Sequence, residues 1–195
     1  MKKFLSILLV FMLVFASMLV FASCGGGNGD GTGDEGGNDD TLTIGGMADE
    51  DVPAGFNKYT KGVDVDVYTP AGWNVYSTAF TGIQIIDTVT RNQIEIKATN
   101  YDAASGYQAV TLEVFESTVV APLRTSGCEI KEVKSLGDSI YYCEYVNAMG
   151  VTIKLTNAYI DNAGENQAIT VSATFLSDLG TTDVIKVVLG TIKVK

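Results

Sequence analysis

Few side chains in this sequence have reactive chemistry near neutral pH. Cysteine occurs three times, as Cys24, Cys128 and Cys143, and histidine not at all. Without histidine the chain lacks the usual general base and the commonest zinc ligand. A serine or cysteine nucleophile would have no imidazole partner, and no G-x-S-x-G occurs. The glycines of residues 25–37 stand in low-complexity sequence rather than between a strand and a helix, so they make no phosphate-binding loop. Asp64 and Asp66 alternate along a strand and share one face. Two carboxylates could serve glycoside hydrolysis, but in this context they read as an outward polar stripe. Asn28, Asp30, Thr32, Gly33, Asp34 and Asp39 fall near calcium-loop positions. The last ligand is Asp rather than Glu and no helix can flank the loop, so chance in Gly/Asp-rich sequence accounts for the match. We therefore expect no catalytic residue, no metal and no cofactor. Tyr141 and Tyr145 share a strand face with Cys143, and together with Trp73 they are candidates for a contact surface or for ordinary packing.

The start of the chain is the most specific stretch. Lys2 and Lys3 precede 19 uncharged, mostly apolar residues, Phe4 to Ala22. This is the pattern of a secretory signal, close to the length of a membrane span. Phe21-Ala22-Ser23-Cys24 then resembles the lipobox of bacterial lipoproteins, with Phe where that pattern prefers Leu. The resemblance implies a signal peptide over 1–23, removed on export, and a lipid on Cys24. It places the protein at the cell membrane, lipid-anchored on the extracytoplasmic face. An uncleaved anchor is the competing reading. Residues 24–40 would be the lipidated cysteine and its linker. Gly25 to Asp40 is half glycine with five acids and no apolar residue, so nothing offsets its ordering entropy. It reads as a flexible tether spanning roughly 20–25 Å.

Losing Lys2 and Lys3 leaves 11 basic against 23 acidic residues, a net charge of −12. Such a surface repels nucleic acid. In an oxidising compartment Cys128 and Cys143 are an even pair. A turn centred between Ser135 and Leu136 would set them opposite each other, and a disulfide is expected. A one-residue register shift would instead send the sulfurs to opposite faces.

Residues 41–195 are long enough for one globular α+β domain with a real core. Val63 to Val67 alternates strictly, and Thr69-Pro70-Ala71-Gly72-Trp73 breaks the strand. Asn74 to Thr78, Ile83 to Asp87 and Gln93 to Thr99 continue an antiparallel meander. Between Tyr107 and Leu123 the period becomes helical, with Leu112, Phe115, Val119 and Leu123 on one face. Pro122 and Gly127 are stop signals. Four strands follow: Cys128 to Val133, Ser139 to Asn147, Val151 to Ile160 and Ala168 to Leu176. A helix from about Thr182 to Ile192 closes the chain, with Val184, Val188 and Ile192 as its stripe. Thr181 or Thr182 can cap it, and Asp183 suits its positive end. Strand runs with helices set between them argue an antiparallel sheet with flanking helices.

The segment Tyr59-Thr60-Lys61-Gly62, a strand, then Tyr68-Thr69-Pro70-Ala71-Gly72-Trp73 resembles the opening of the PsbP-like family. The closing Thr191-Ile192-Lys193-Val194 fits as well. The likeness covers about residues 56–195 and implies an αβα sandwich. That family has no common active site, so it implies no catalytic residue, and fold does not give function. The expected role is a membrane-anchored, non-catalytic binding or assembly module. Its partners would be the membrane, through the lipid, and an envelope protein or ligand, with no nucleic acid. The alternatives are a carboxylate-based envelope hydrolase and a solute-sensing component of an envelope complex.

Overall fold

A computed structural model of the protein describes residues 41–61, 64–78, 82–162, 166–176 and 181–195. These lie in one compact unit, Asp39–Lys195. Its strands are β1 (Phe56–Tyr59), β2 (Val65–Pro70), β3 (Asn74–Thr78), β4 (Gly82–Ile86), β5 (Gln93–Asn100), β6 (Glu129–Gly137), β7 (Ile140–Val146), β8 (Thr152–Asn162), β9 (Gln167–Phe175) and β10 (Lys193–Val194). Helix α1 runs through three consecutive segments, Leu112–Phe115, Glu116–Val120 and Ala121–Thr125, and α2 spans Thr181–Thr191. The larger sheet has the order β3-β4-β5-β9-β8-β7-β6 and is antiparallel throughout. The chain is thus α+β, as its pattern of elements implies.

The meander starts later than the sequence pattern suggests. β2 does not join β3, β4 and β5. It sits between β1 and β10 in a separate three-stranded sheet. The Pro70–Trp73 turn carries the chain from one sheet to the other. Gly72 there has φ +86°, a conformation that disfavours any side chain.

Strand alternation sorts the side chains into two cores. Ile83, Ile85, Ile94, Ile96, Ile169, Val171 and Ala173 point to one face. They meet Ile185, Val188 and Leu189 of α2, Ile192 just beyond it, and Val65 and Val67 of β2. The buried face of α2 is therefore wider than a Val184/Val188/Ile192 stripe, and Val184 lies at its margin. Thr191 locks the small sheet to this helix. Its hydroxyl donates to Val187 O (2.7 Å) and accepts from the Tyr68 N–H (3.1 Å).

Residues 42–47 strap the end of α2. The Gly45 N–H donates to Leu189 O (2.8 Å) and the Met47 N–H to Gly190 O (2.9 Å), satisfying carbonyls that a helix end leaves open. The Leu42 N–H donates to Leu136 O at 2.6 Å. The strap crosses Gly137 so closely that a Cβ there would stand 2.2 Å from Leu42 O.

Helix α1 covers part of the opposite face, burying Phe115, Val120 and Leu123 against Tyr141, Cys143, Tyr145 and Ile153. Its stripe differs from the expected Leu112/Phe115/Val119/Leu123. Leu112 is exposed, and Val120 replaces Val119 as the fully buried residue. The change from Val119 to Val120 follows from a π turn over Glu116–Val120, in which the Ala121 N–H reaches back to Glu116 O. One extra residue per turn rotates the following face. Pro122 follows directly, inside the helix rather than at its end. Its ring crowds the carbonyl four residues back, and it has no N–H to give. Around the π turn, Ser117 Oγ (3.0 Å) and Thr118 Oγ1 (2.6 Å) both donate to Val114 O, one turn earlier.

Candidate contact face

The face of the large sheet that carries α1 has two halves. α1 covers the β6–β8 half, and the β3–β4–β5–β9 half lies beyond it. One row crosses both. In order it reads Ser135, Tyr141, Asn157, Ser172, Glu95, Gln84 and Tyr76, each the direct register partner of the next. Directly opposed residues project to the same side of a sheet.

Under α1 the row is aromatic and packed. The Tyr141 ring stacks on Phe115 at 5.5 Å, and its hydroxyl donates to Val110 O at 2.7 Å, fixing the start of α1. Tyr159 lies 6.2 Å from Tyr141. Tyr101 and Tyr107, in the segment leading into α1, pair at 5.9 Å. The Tyr101 hydroxyl donates to Asp161 Oδ1 (3.3 Å), and Asn157 Nδ2 donates to the Tyr159 hydroxyl (3.3 Å). Burial pushes the Tyr107 and Tyr159 phenols up, so both remain protonated donors at neutral pH. Asn157 is only 7% exposed. Its Oδ1 and the Tyr107 hydroxyl are buried and find no hydrogen-bond partner among the described residues.

Beyond α1 the row becomes polar and open. Ser172, Glu95 and Gln84 are half-buried, and Tyr76 is 51% exposed. Lys97, two positions along β5 from Glu95 and on the same face, holds its carboxylate at 3.0 Å. This stretch therefore offers amides, hydroxyls and one internally balanced ion pair.

The residues singled out in the sequence lie elsewhere. Tyr141 and Tyr145 are 7% and 6% exposed, so they form core rather than a contact surface. Burial pushes the Tyr145 phenol up to about 12. Trp73 is partly buried on the aliphatic core, 6.4 Å from Phe175. Asp66 pairs with Lys195 at 2.8 Å.

The expected disulfide is not made: Cys128 and Cys143 are both free thiols. The hairpin turns about three residues later than a turn between Ser135 and Leu136 would, so Val133 rather than Cys128 faces Cys143. The chain turns at Asp138-Ser139, where Ser139 has φ 58°, and Cys128 precedes the ladder altogether. Burial raises both thiols, Cys143 to about 11. Cys24, the Gly/Asp-rich linker and the calcium-like pattern of Asn28 to Asp39 lie outside the described residues.

Sequence reasoning missed Tyr76, Gln84, Glu95, Lys97, Asn157 and Ser172 as a group. Each strand's outward polar positions were readable. Their convergence depends on β5 pairing with β9, strands more than sixty residues apart. Among the described residues, no three His, Cys, Asp or Glu side chains group so as to hold a metal. Among them also, no helix is long and apolar enough to cross a membrane.

No protein-family model matches the chain. No curated protein matches it either. Among solved structures it is similar to LpqN of Mycobacterium tuberculosis, a protein involved in cell envelope biogenesis. The TM-score is 0.44 and the identity 13%, over 72% of this chain and 90% of that one.

Proposed function

We propose that this chain is an extracytoplasmic, lipid-anchored contact module that works by binding rather than by catalysis. The open polar half of the large sheet, ending in Tyr76, is its contact surface. One observation carries the reading: a single sheet face is sealed by a helix over one half and left exposed over the other, with amides, hydroxyls and a balanced ion pair where the rest of the chain is strongly acidic. The charged n-region, the apolar run and the small residues before Cys24 support anchoring, and the Gly/Asp tether suits a module that searches for a partner near a membrane.

Two experiments test this. Cys24→Ala should abolish lipid modification, read as loss of acyl mass and release of the chain from membranes. Cross-linked full-length protein should co-isolate a partner that Tyr76→Ala/Gln84→Ala loses while folding normally. Turnover of a glycan, peptide or ester substrate that disappears with one carboxylate would favour the hydrolase.

A further inference from the structure

We infer that the free edge of β3 pairs antiparallel with β3 of a second copy of this chain, about a two-fold axis at Tyr76. The inference rests on the contact-module reading and names the occupant at the outer end of that same surface. Among the described residues β3 has a strand partner on one side only, β4. Its other side presents the N–H and C=O groups of alternate residues outward, a template for one more strand. Asn74, Tyr76 and Ser77 are exposed along it.

The four edge strands of the two described sheets are not alike. β6 carries Lys131 and Lys134, and its pairing is irregular at two places. β1 carries Lys58, and β10 is two residues long and begins with Lys193. Lysine, irregular pairing and short length are the devices by which an edge refuses another strand. β3, Asn74-Val75-Tyr76-Ser77-Thr78, has no charge, no proline and an unbroken register with β4. Its central Val75 and Tyr76 favour extended backbone.

Charge points to a copy rather than to a different partner. In a chain where 18% of residues are charged, the 20 from Val67 to Ile86 hold none, and they include β3 and β4. A cationic partner would be met best by the acids spread over the rest of the surface. Two copies of one strongly acidic chain approach with least repulsion where neither presents charge.

The strand also matches itself. Turned antiparallel about Tyr76, it sets Tyr76 opposite Tyr76 on the open face, an aromatic cross-strand pair. On the α2 side Val75 falls opposite Ser77, and the two Val75 residues stand diagonal to each other, about 7–8 Å apart. Val75 packs on the aliphatic core, so the pairing extends that core across the seam. The contact is isologous and closes at two chains. It joins two seven-stranded sheets into one.

The test uses two differently tagged copies of the full-length protein, co-expressed and extracted into detergent with micelles in large excess. The parent copies should co-isolate. Tyr76→Lys with itself, and Tyr76→Glu with itself, set like charges opposite each other and should co-isolate about tenfold less. Tyr76→Lys with Tyr76→Glu makes a matched pair and should co-isolate well above either like pair. Position 76 is exposed, so thermal melts of both variants should follow the parent's. Parent copies that do not co-isolate, like-charge variants that still do, or a mixed pair no better than the like pairs would each overturn the inference. If it fails while Tyr76→Ala/Gln84→Ala still loses a different co-isolated protein, the contact-module reading stands with another occupant. If no such protein is lost either, that reading falls too.

Discussion

The two cores of this protein lie on opposite faces of one sheet and are built from different side chains. Isoleucine and valine of β4, β5 and β9 fill the first, under a helix that is buried over most of its surface. Phenylalanine, tyrosine and cysteine dominate the second, under a helix whose first turn leaves Leu112 and Val114 exposed. The difference follows from what covers each. α2 is trapped between the sheet, β2 and the 42–47 strap, so from Val187 to Thr191 every residue is buried and only Thr191 is polar. α1 covers only one end of its face, and the core beneath it has a margin. Tyrosines suit a margin, because the ring packs inward while the hydroxyl reaches a carbonyl or a carboxylate. The aromatic core thus grades into the polar row, and the aliphatic core has no such edge.

If the cores are separate, they should fail separately. The largest effect is expected from Phe115→Ala, about 3–5 kcal/mol. The native variant should expose Cys143 to thiol reagents that do not reach it in the parent, while Trp73 emission stays put. Unreduced, denatured parent protein should show Cys128 and Cys143 both reactive, and a blocked pair would restore the disulfide. Leu189→Ala should cost about 2–5 kcal/mol and shift Trp73 emission, because Trp73 packs on the aliphatic side. Loss of Cys143 protection in native Leu189→Ala would join the two cores into one.

Smaller effects sharpen the boundary between the sheets. Thr191→Val leaves the Tyr68 N–H without its acceptor and should cost about 1–3 kcal/mol, measured by urea denaturation. Asp49→Asn is the mildest. Asp49 pairs with Lys58 of β1 and Lys193 of β10, all at the surface. The hydrogen bonds from Lys58 and Lys193 hold its folded carboxyl below the ordinary aspartate range. The stability it adds is therefore present above the unfolded value and lost as pH falls through the lower folded one. The Asn variant should be slightly less stable than the parent at pH 7, and the difference should shrink and vanish as pH falls through the lowered folded value, in thermal melts across the acid range.

The same contrast explains how much of the fold was legible. Strands β3 to β9 and helix α2 announce themselves through period-2 and period-3.6 runs of Ile, Val and Leu. β1 does not, because Phe56-Asn57-Lys58-Tyr59 is short and polar and exists by pairing with β2. β10, of two residues, is held in the same way. α1 was legible as a helix with Phe115 and Leu123 inward, but a π turn put Val120 rather than Val119 in its core, and periodicity assumes a constant turn. For the cysteines it was the position of the hairpin turn, at Asp138-Ser139 rather than between Ser135 and Leu136, that periodicity could not fix. The candidate surface was least legible. Its members are ordinary outward positions until the long-range pairing of β5 with β9 sets them in one line.

The central claim is that the molecule makes its contacts through the open half of that face. Site-specific photo-cross-linking in intact cells tests it most directly, with benzoylphenylalanine replacing Tyr76 in one variant and Met149 in another. Met149 is the control, since it is 57% exposed but lies on the β7–β8 turn. The account predicts a discrete high-mass adduct from position 76, weakened by Gln84→Ala, and none from position 149. Adducts from position 149 alone, or none from position 76, would contradict it.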